Sequence, residues 1–519
     1  MLYATDGFDT EPMLRGAAMP AQVTTRAQVN GYRFLLRRLE HALIRADSRM
    51  IHDPMRGQIR SLMVGFVIAI LITGAAAVLA FFKPTPNIGN AQILISKSSG
   101  GMFVQIGDRV HPVLNISSAR MITGSADAPK QVDDRFLNQL PRGPMVGIVG
   151  APAAIHGADN LDMSSWTVCD SVTTPDIRSG PGPGGLETTV LANDPVLGDG
   201  IRAASAAEML LVMSGDTVYL VYDGVRAAVD PRDKGVVNAL HLQDVYPRPI
   251  SPGLLNSFPL APPIRPVVIE GIGEPAPYLP AQYPVGSMIK TSDSTGNQLY
   301  VVLRDGLQRI SDATADIIRY GGPANDPQGT HEVSPSLVSN APIVHTLPVD
   351  HYPAVSPRIV DLEPDRVACM SWQRPKNAAQ ATIRLLVGHR LPLPSGAKPV
   401  PLASADGTGP GVDWVYLKPG TGEFVEATGN APESKAAGAL FYVADTGLRY
   451  HIKDLPTAAA LGVSGVTEPN SDAMYPQLAP WSVLSLLPAG PELSQEAALV
   501  AHDSLAADPA GTKVNPPKQ

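Results

Sequence analysis

The chain has 519 residues, a formal net charge of −8, 44% hydrophobic residues and only 17% charged ones, with 47 glycines and 51 prolines. So few charges and so many turn formers describe a loop-rich chain, yet the apolar share is enough to build a core and excludes a wholly disordered protein. Residues 1–60 carry nine Arg against six acids, +3, which leaves −11 for the rest, and an acidic domain of that size argues against nucleic acid as its partner.

Residues 1–22 have no sustained periodicity and read as a disordered tail. Thr24 or Thr25 can then cap a helix running to about Met50. Val29, Tyr32, Leu36, Leu39, Leu43, Ala46 and Met50 recur at alternating spacings of three and four, a heptad seam of the kind that packs on another helix. Arg33, Arg37, Arg38 and Arg45 lie off the seam, where they could meet anionic lipid or acidic partners. A narrow, regular seam favours docking to another subunit over lying flat on a membrane. Asp53-Pro54 is expected to break this cytoplasmic helical segment, 23–61, before the next element.

The run from Leu62 to Phe82, LMVGFVIAILITGAAAVLAFF, contains no charge. At about 1.5 Å per residue it matches the hydrocarbon thickness of a bilayer, so it is read as a transmembrane helix. Its length and its start 61 residues into the chain favour an uncut anchor over a cleaved signal peptide. Arginines concentrate before it, which places the N-terminus in the cytoplasm and the remainder beyond the membrane.

A linker, 83–90, leads to a weak internal repeat in 102–122, 218–240, 299–318 and 440–461. Each copy has an apolar strand, a turn at Gly107-Asp108, Asp223-Gly224, Asp305-Gly306 or Asp445-Thr446-Gly447, a second strand, and a helix-like stretch. The expected division is repeat 1 at 91–128, repeat 2 at 211–250, repeat 3 at 285–330 and repeat 4 at 438–465. A central domain is assigned to 129–210 and 331–437, a linker to 251–284, a C-terminal segment to 466–496 and a disordered tail to 497–519.

Cys169 and Cys369 are the only cysteines, and outside the cytoplasm they would tend to pair; two buried free thiols are the alternative. Their settings mirror each other, Trp166-Thr-Val-Cys169 and Cys369-Met-Ser-Trp372, and both are placed in the central layer. No catalytic, cofactor or metal site is expected. The P-loop pattern Gly-x4-Gly-Lys-[Ser/Thr] is missing, and His331-Glu332 is followed by Val-Ser-Pro rather than a zincin motif. Two literal dinucleotide fingerprints, at 180–185 and 271–276, lack the helix that would hold a pyrophosphate.

The stretch TRAQVNGYRFLLRRLEHALIRADSRMIHDPMRGQIRSLMVGF (25–66), with GPMVGIVGAPAAI (143–155), WTVCD (166–170) and WSVLSLLPAGPELS (481–494), resembles the EccB family of mycobacterial type VII (ESX) secretion systems. That resemblance implies a structural core subunit of an inner-membrane complex that exports folded proteins. Its implied partners are EccC, EccD, EccE, other EccB copies, membrane lipid and, on the periplasmic side, the mycosin protease. The implied fold is a single-pass membrane protein: an N-terminal amphipathic helix, one transmembrane helix and a large periplasmic α+β, β-rich repeat domain around a disulfide-linked central domain. Overall length and pattern lean towards the system linked to iron and siderophore use. The family is sometimes labelled an ATPase, which the missing P-loop does not support; a periplasmic ATPase or other hydrolase is the alternative reading, with the motor expected in EccC.

Overall fold

A computed structural model describes residues 25–46, 49, 54–82, 91–173, 185–293, 296–321, 329–405, 411–463 and 476–505. The chain forms two compact units, Met1–Asn87 and Ile88–Gln519.

In the first unit, helix α1 spans Arg26–Arg45, and the Thr25 N–H donates to Gln28 Oε1 at 3.1 Å to close its start. It ends earlier than the expected Met50, because Ala46 turns left-handed at φ 53° and donates its N–H to the Ala42 carbonyl. Met50 lies outside the described residues. Helix α2 spans Pro54–Phe82 and so begins well before Leu62. Pro54 opens this helix rather than standing clear of it, since at the first helical position its missing N–H has no partner to lose. Among the described residues one helical stretch, Gln58–Leu79, is long and apolar enough to cross a bilayer.

The second unit holds four modules whose sheets share one four-strand order, and the sheet of module 2 gains a fifth strand, Arg358–Ile359, paired parallel with Glu208–Ser214. Module 1 uses Ile93–Ser96, Met102–Ile106, Arg109–Pro112 and Lys130–Val132. Module 2 uses Glu208–Ser214, Thr217–Tyr222, Val225–Val229 and Arg248–Pro249. Module 3 uses Met288–Asp293, Gly296–Val302, Leu307–Ile310 and His331–Glu332, and module 4 uses Gly422–Thr428, Ala436–Ala444, Arg449–Ile452 and Gln477–Pro480. In each, the first three strands form an antiparallel meander, a helix follows, and the fourth strand returns parallel to the first. The helices are Ile116–Thr123, Lys234–Ala239, Asp312–Gly321 and Leu455–Leu461. Asn115, Asp233 and Asp454 cap three of them through side-chain oxygens that accept backbone N–H bonds. The Asp223-Gly224 turn uses the left-handed region, with φ 44° and 75°, whereas Asp305-Gly306 turns without it. Gly224 also presses on the central sheet, where a Cβ would lie 2.7 Å from the Ile383 carbonyl oxygen.

These limits depart from the expected ones. Module 4 starts at Gly422 rather than 438 and closes only at Pro480, and module 1 runs past 128 to its return strand at 130–132. The hairpin signal marks only the strands beside the turn, whereas a parallel return strand carries no local turn signal. The expected linker at 251–284 contains helix Pro252–Ser257, with Leu254, Leu255 and Phe258 in the main core. Nor is 497–505 a disordered tail: Gln495–Ala498 is helical, and Ala501–His502 pairs antiparallel with Met145–Val146.

A seven-stranded central sheet runs Val400–Pro401, Trp414–Tyr416, Leu186–Leu191, Met163–Val172, Val367–Pro375, Thr382–Gly388 and Ile201–Ala203. Alternation gives it two buried faces. Trp166, Val168, Met370 and Trp372 join the main core, while Cys169, Cys369, Leu191 and Leu386 form a second cluster. Modules pack in pairs, helix Ile116–Thr123 against Leu455–Leu461 and helix Lys234–Ala239 against Asp312–Gly321.

Candidate functional site

The middle of the central sheet is an antiparallel pair whose register sets Cys169 opposite Cys369 and Trp166 opposite Trp372. The mirrored order of the two sequence blocks follows from that register, since one strand must be read backwards to face the other. A disulfide joins the cysteines, their Cα atoms are 4.0 Å apart, and both are fully buried.

Beside it lies a buried ionic network that sequence reasoning missed. Asp170, 2% exposed, accepts bonds from the Ser251 N–H (2.6 Å), the Ser251 hydroxyl (2.8 Å) and the Thr188 hydroxyl (2.9 Å). Burial pushes its carboxyl up to about 6 despite those donors and the nearby Arg248. Arg248, itself pushed down to about 10 by burial, donates to the carbonyls of Asp365 (3.2 Å) and Arg366 (3.4 Å). The network fastens the return strand of module 2 and helix Pro252–Ser257 to the disulfide strands. The one available signal was a lone acid inside the apolar strand Met163–Val172.

A second clamp joins module 2 to the edge strand of the same sheet, Ile201–Ala203. Glu208, 6% exposed, takes a two-pronged bond from Arg202 (2.7 and 2.9 Å), a bond from the Ser205 N–H (2.9 Å), and one from Arg358. Burial raises its carboxyl, but the Ser205 N–H and Arg202 outweigh that and hold it at about 2. It lines a cleft of about 340 Å³ with Asp223 and Arg384.

The heptad residues Val29, Tyr32, Leu36, Leu39 and Leu43 are all exposed on α1, as are Arg33, Arg37 and Arg38. Among the described residues no group of His, Cys, Asp and Glu could hold a metal ion. The buried polar residues thus link strands and modules.

The family model described as "Type VII secretion system ESX-1, transport TM domain B" matches residues 21–507. The chain belongs to the EccB family. A curated EccB relative, the "ESX-3 secretion system ATPase EccB3" of Mycobacterium tuberculosis, is 37% identical over 501 residues, covering 93% of this chain and 90% of that protein. Among solved structures, a chain of an intact ESX-5 inner membrane complex aligns at TM-score 0.68 and 31% identity, over 96% of this chain and 100% of that one. An EccB3 dimer from the ESX-3 core complex aligns at TM-score 0.64 and 34% identity, over 79% and 100%.

Proposed function

We propose that this EccB-family chain is a structural core subunit of a type VII secretion complex in the inner membrane. The observation that carries this reading is the near full-length match to a chain of an intact ESX-5 inner membrane complex, anchor region included. On it, α1 lies in the cytoplasm, Gln58–Leu79 crosses the bilayer once, and the module-bearing unit stands in the periplasm; the arginine excess before the span supports that orientation. The exposed seam from Val29 to Leu43, with Arg33, Arg37 and Arg38 beside it, docks on cytoplasmic parts of the machine. EccC, EccD, EccE, further EccB copies, the mycosin protease and membrane lipid are the partners this role calls for. Likeness to EccB3 favours the system linked to iron and siderophore use.

The relatives carry the word ATPase in their names. This chain has no P-loop whose backbone and lysine could hold phosphates, so its role is read as scaffolding, with the motor in EccC. In-frame deletion of the gene should stop export through its ESX system. Full-length chain should restore export and chain lacking 25–46 should not; undiminished export after deletion would overturn the proposal.

A further inference from the structure

The buried acids of the module-bearing unit all have donors. Asp170 and Glu208 hold those described above, and Asp413 accepts from the Thr188 N–H at 2.9 Å. On the first strand of module 4, Gly422–Thr428, Glu426 accepts from the Gly438 N–H at 2.9 Å. Glu423 of the same strand is half-buried, yet among the described residues it accepts no hydrogen bond and pairs with no cation. The register sets it opposite Val443. It shares a strand face with Val425 and Ala427, which with Val443 belong to the main core that module 4 shares with the central sheet. Phe424 and Tyr442, on the other face, join a separate core.

The charged and titratable groups around Glu423 offer it no countercharge. The segment before the central strand Met163–Val172 comes alongside through Gly157, whose carbonyl accepts the Gly422 N–H at 3.1 Å, and it brings the Asp159 carboxylate near. Lys418, on the loop leading into the strand, binds Asp159 at 2.5 Å. Asp445 accepts from the Gly420 N–H at 2.9 Å, and the Tyr442 hydroxyl accepts from the His156 N–H at 3.1 Å. An acid with an apolar neighbour on one side, a like charge on another and no donor favours its neutral form. Burial first, and the Asp159 carboxylate second, push the Glu423 carboxyl up to about 8.

We propose that Glu423 is a proton-binding site at the joint between module 4 and the central sheet, closing the joint when its carboxyl is neutral and loosening it when ionised. One proton passes between Glu423 and water, and nothing else reacts. Neutral, the carboxyl stays beside Val443 at little cost and no longer repels Asp159. Ionised, it needs water that only a looser joint supplies. Its place makes the effect local to that joint, since Glu423 follows the loop that runs in from the central strand Trp414–Tyr416. The folded value lies above the ordinary 4.5, so the stability it contributes is whole below pH 4.5 and is lost as pH rises through about 8. The proposal goes beyond the scaffolding role and can fail while that role stands.

The test is hydrogen exchange of the full-length chain in detergent, read by mass spectrometry from pH 6 to pH 9 and corrected for the intrinsic exchange rate. Protection of Gly422–Thr428 should fall about tenfold or more over that range in the parent and less than about twofold in Glu423→Gln. Met288–Asp293 of module 3 should stay level in both. Asp159→Asn removes the like charge and frees Lys418, and should move the loss of protection to higher pH-independent stability, with its upper end at lower pH than in the parent. In thermal melts at pH 9, Glu423→Gln should outlast the parent by several degrees, a gain that a misfolded variant would not show, and the gap should narrow as pH is lowered to 5. Equal pH dependence of protection in parent and Glu423→Gln, a Gln variant that melts below the parent at pH 9, or an unmoved transition in Asp159→Asn overturns the proposal.

Discussion

Replacing both Cys169 and Cys369 by Ala removes the one covalent tie between strands 200 residues apart in sequence. In the chain-entropy treatment, opening a loop of that length releases about 18 cal/mol/K, or about 5 kcal/mol at 25 °C. The sheet already aligns the two strands, and residual structure in the unfolded chain shortens the effective loop, so a loss of about 3–5 kcal/mol is expected. Trp166 and Trp372, two of the chain's four tryptophans, face each other on the same two strands and are each 1% exposed, so with Trp414 and Trp481 replaced by Phe in parent and variant alike the remaining emission reports on the pair. Urea unfolding of the full-length chain in detergent, followed by that emission, should show the double variant melting well below the parent. Reductant in the unfolding buffer should bring the parent to the variant's midpoint. In native buffer it should leave the parent unchanged over hours, because neither sulfur is reachable without opening the sheet. A variant within about 0.5 kcal/mol of the parent would refute the claim that this crosslink stabilises the central layer, since even surface substitutions scatter by that much.

Asp170→Ala leaves Arg248 buried without its countercharge and strips an acceptor from Ser251 and Thr188; about 3 kcal/mol or more should be lost, read by the same urea transition. Glu208 has a folded pKa of about 2, below the ordinary 4.5, so the stability it contributes is present above pH 4.5 and is lost as pH falls towards 2. Thermal melts from pH 6 down to 2.5 should therefore be less steep in Glu208→Gln than in the parent, and parallel curves would contradict the clamp. Leu36→Asp with Leu39→Asp should leave those melts unchanged, since both side chains are solvent-exposed on α1, yet should abolish co-purification with cytoplasmic subunits; retained partners would remove the docking role.

The parts legible in sequence are those whose cause is local. An uncharged apolar run announces a span, an Asp-Gly step between apolar runs announces a hairpin, and two mirrored Trp and Cys blocks fit facing strands. The return strands at 130–132, 248–249, 331–332 and 477–480 were invisible because two to four residues carry no periodicity and pair with strands far back in the chain. The C-terminal strand Ala501–His502 was lost for the same reason, its partner Met145–Val146 lying more than 350 residues earlier. The Asp170 network could not be read at all, since its donors sit 18 and 81 residues away and converge only in the fold. Gln308 shows the finer limit: a buried polar residue inside an apolar strand finds its donor and its acceptor on Leu347, 39 residues away, which only the fold brings near.

The central claim is tested most directly by purifying the tagged chain from native membranes in mild detergent and determining the subunit composition and symmetry of what comes with it. A defined complex containing several copies of this chain together with EccC, EccD and EccE, its module-bearing unit on the periplasmic side, is the predicted result. Recovery of the chain alone, or with that unit facing the cytoplasm, would contradict the account.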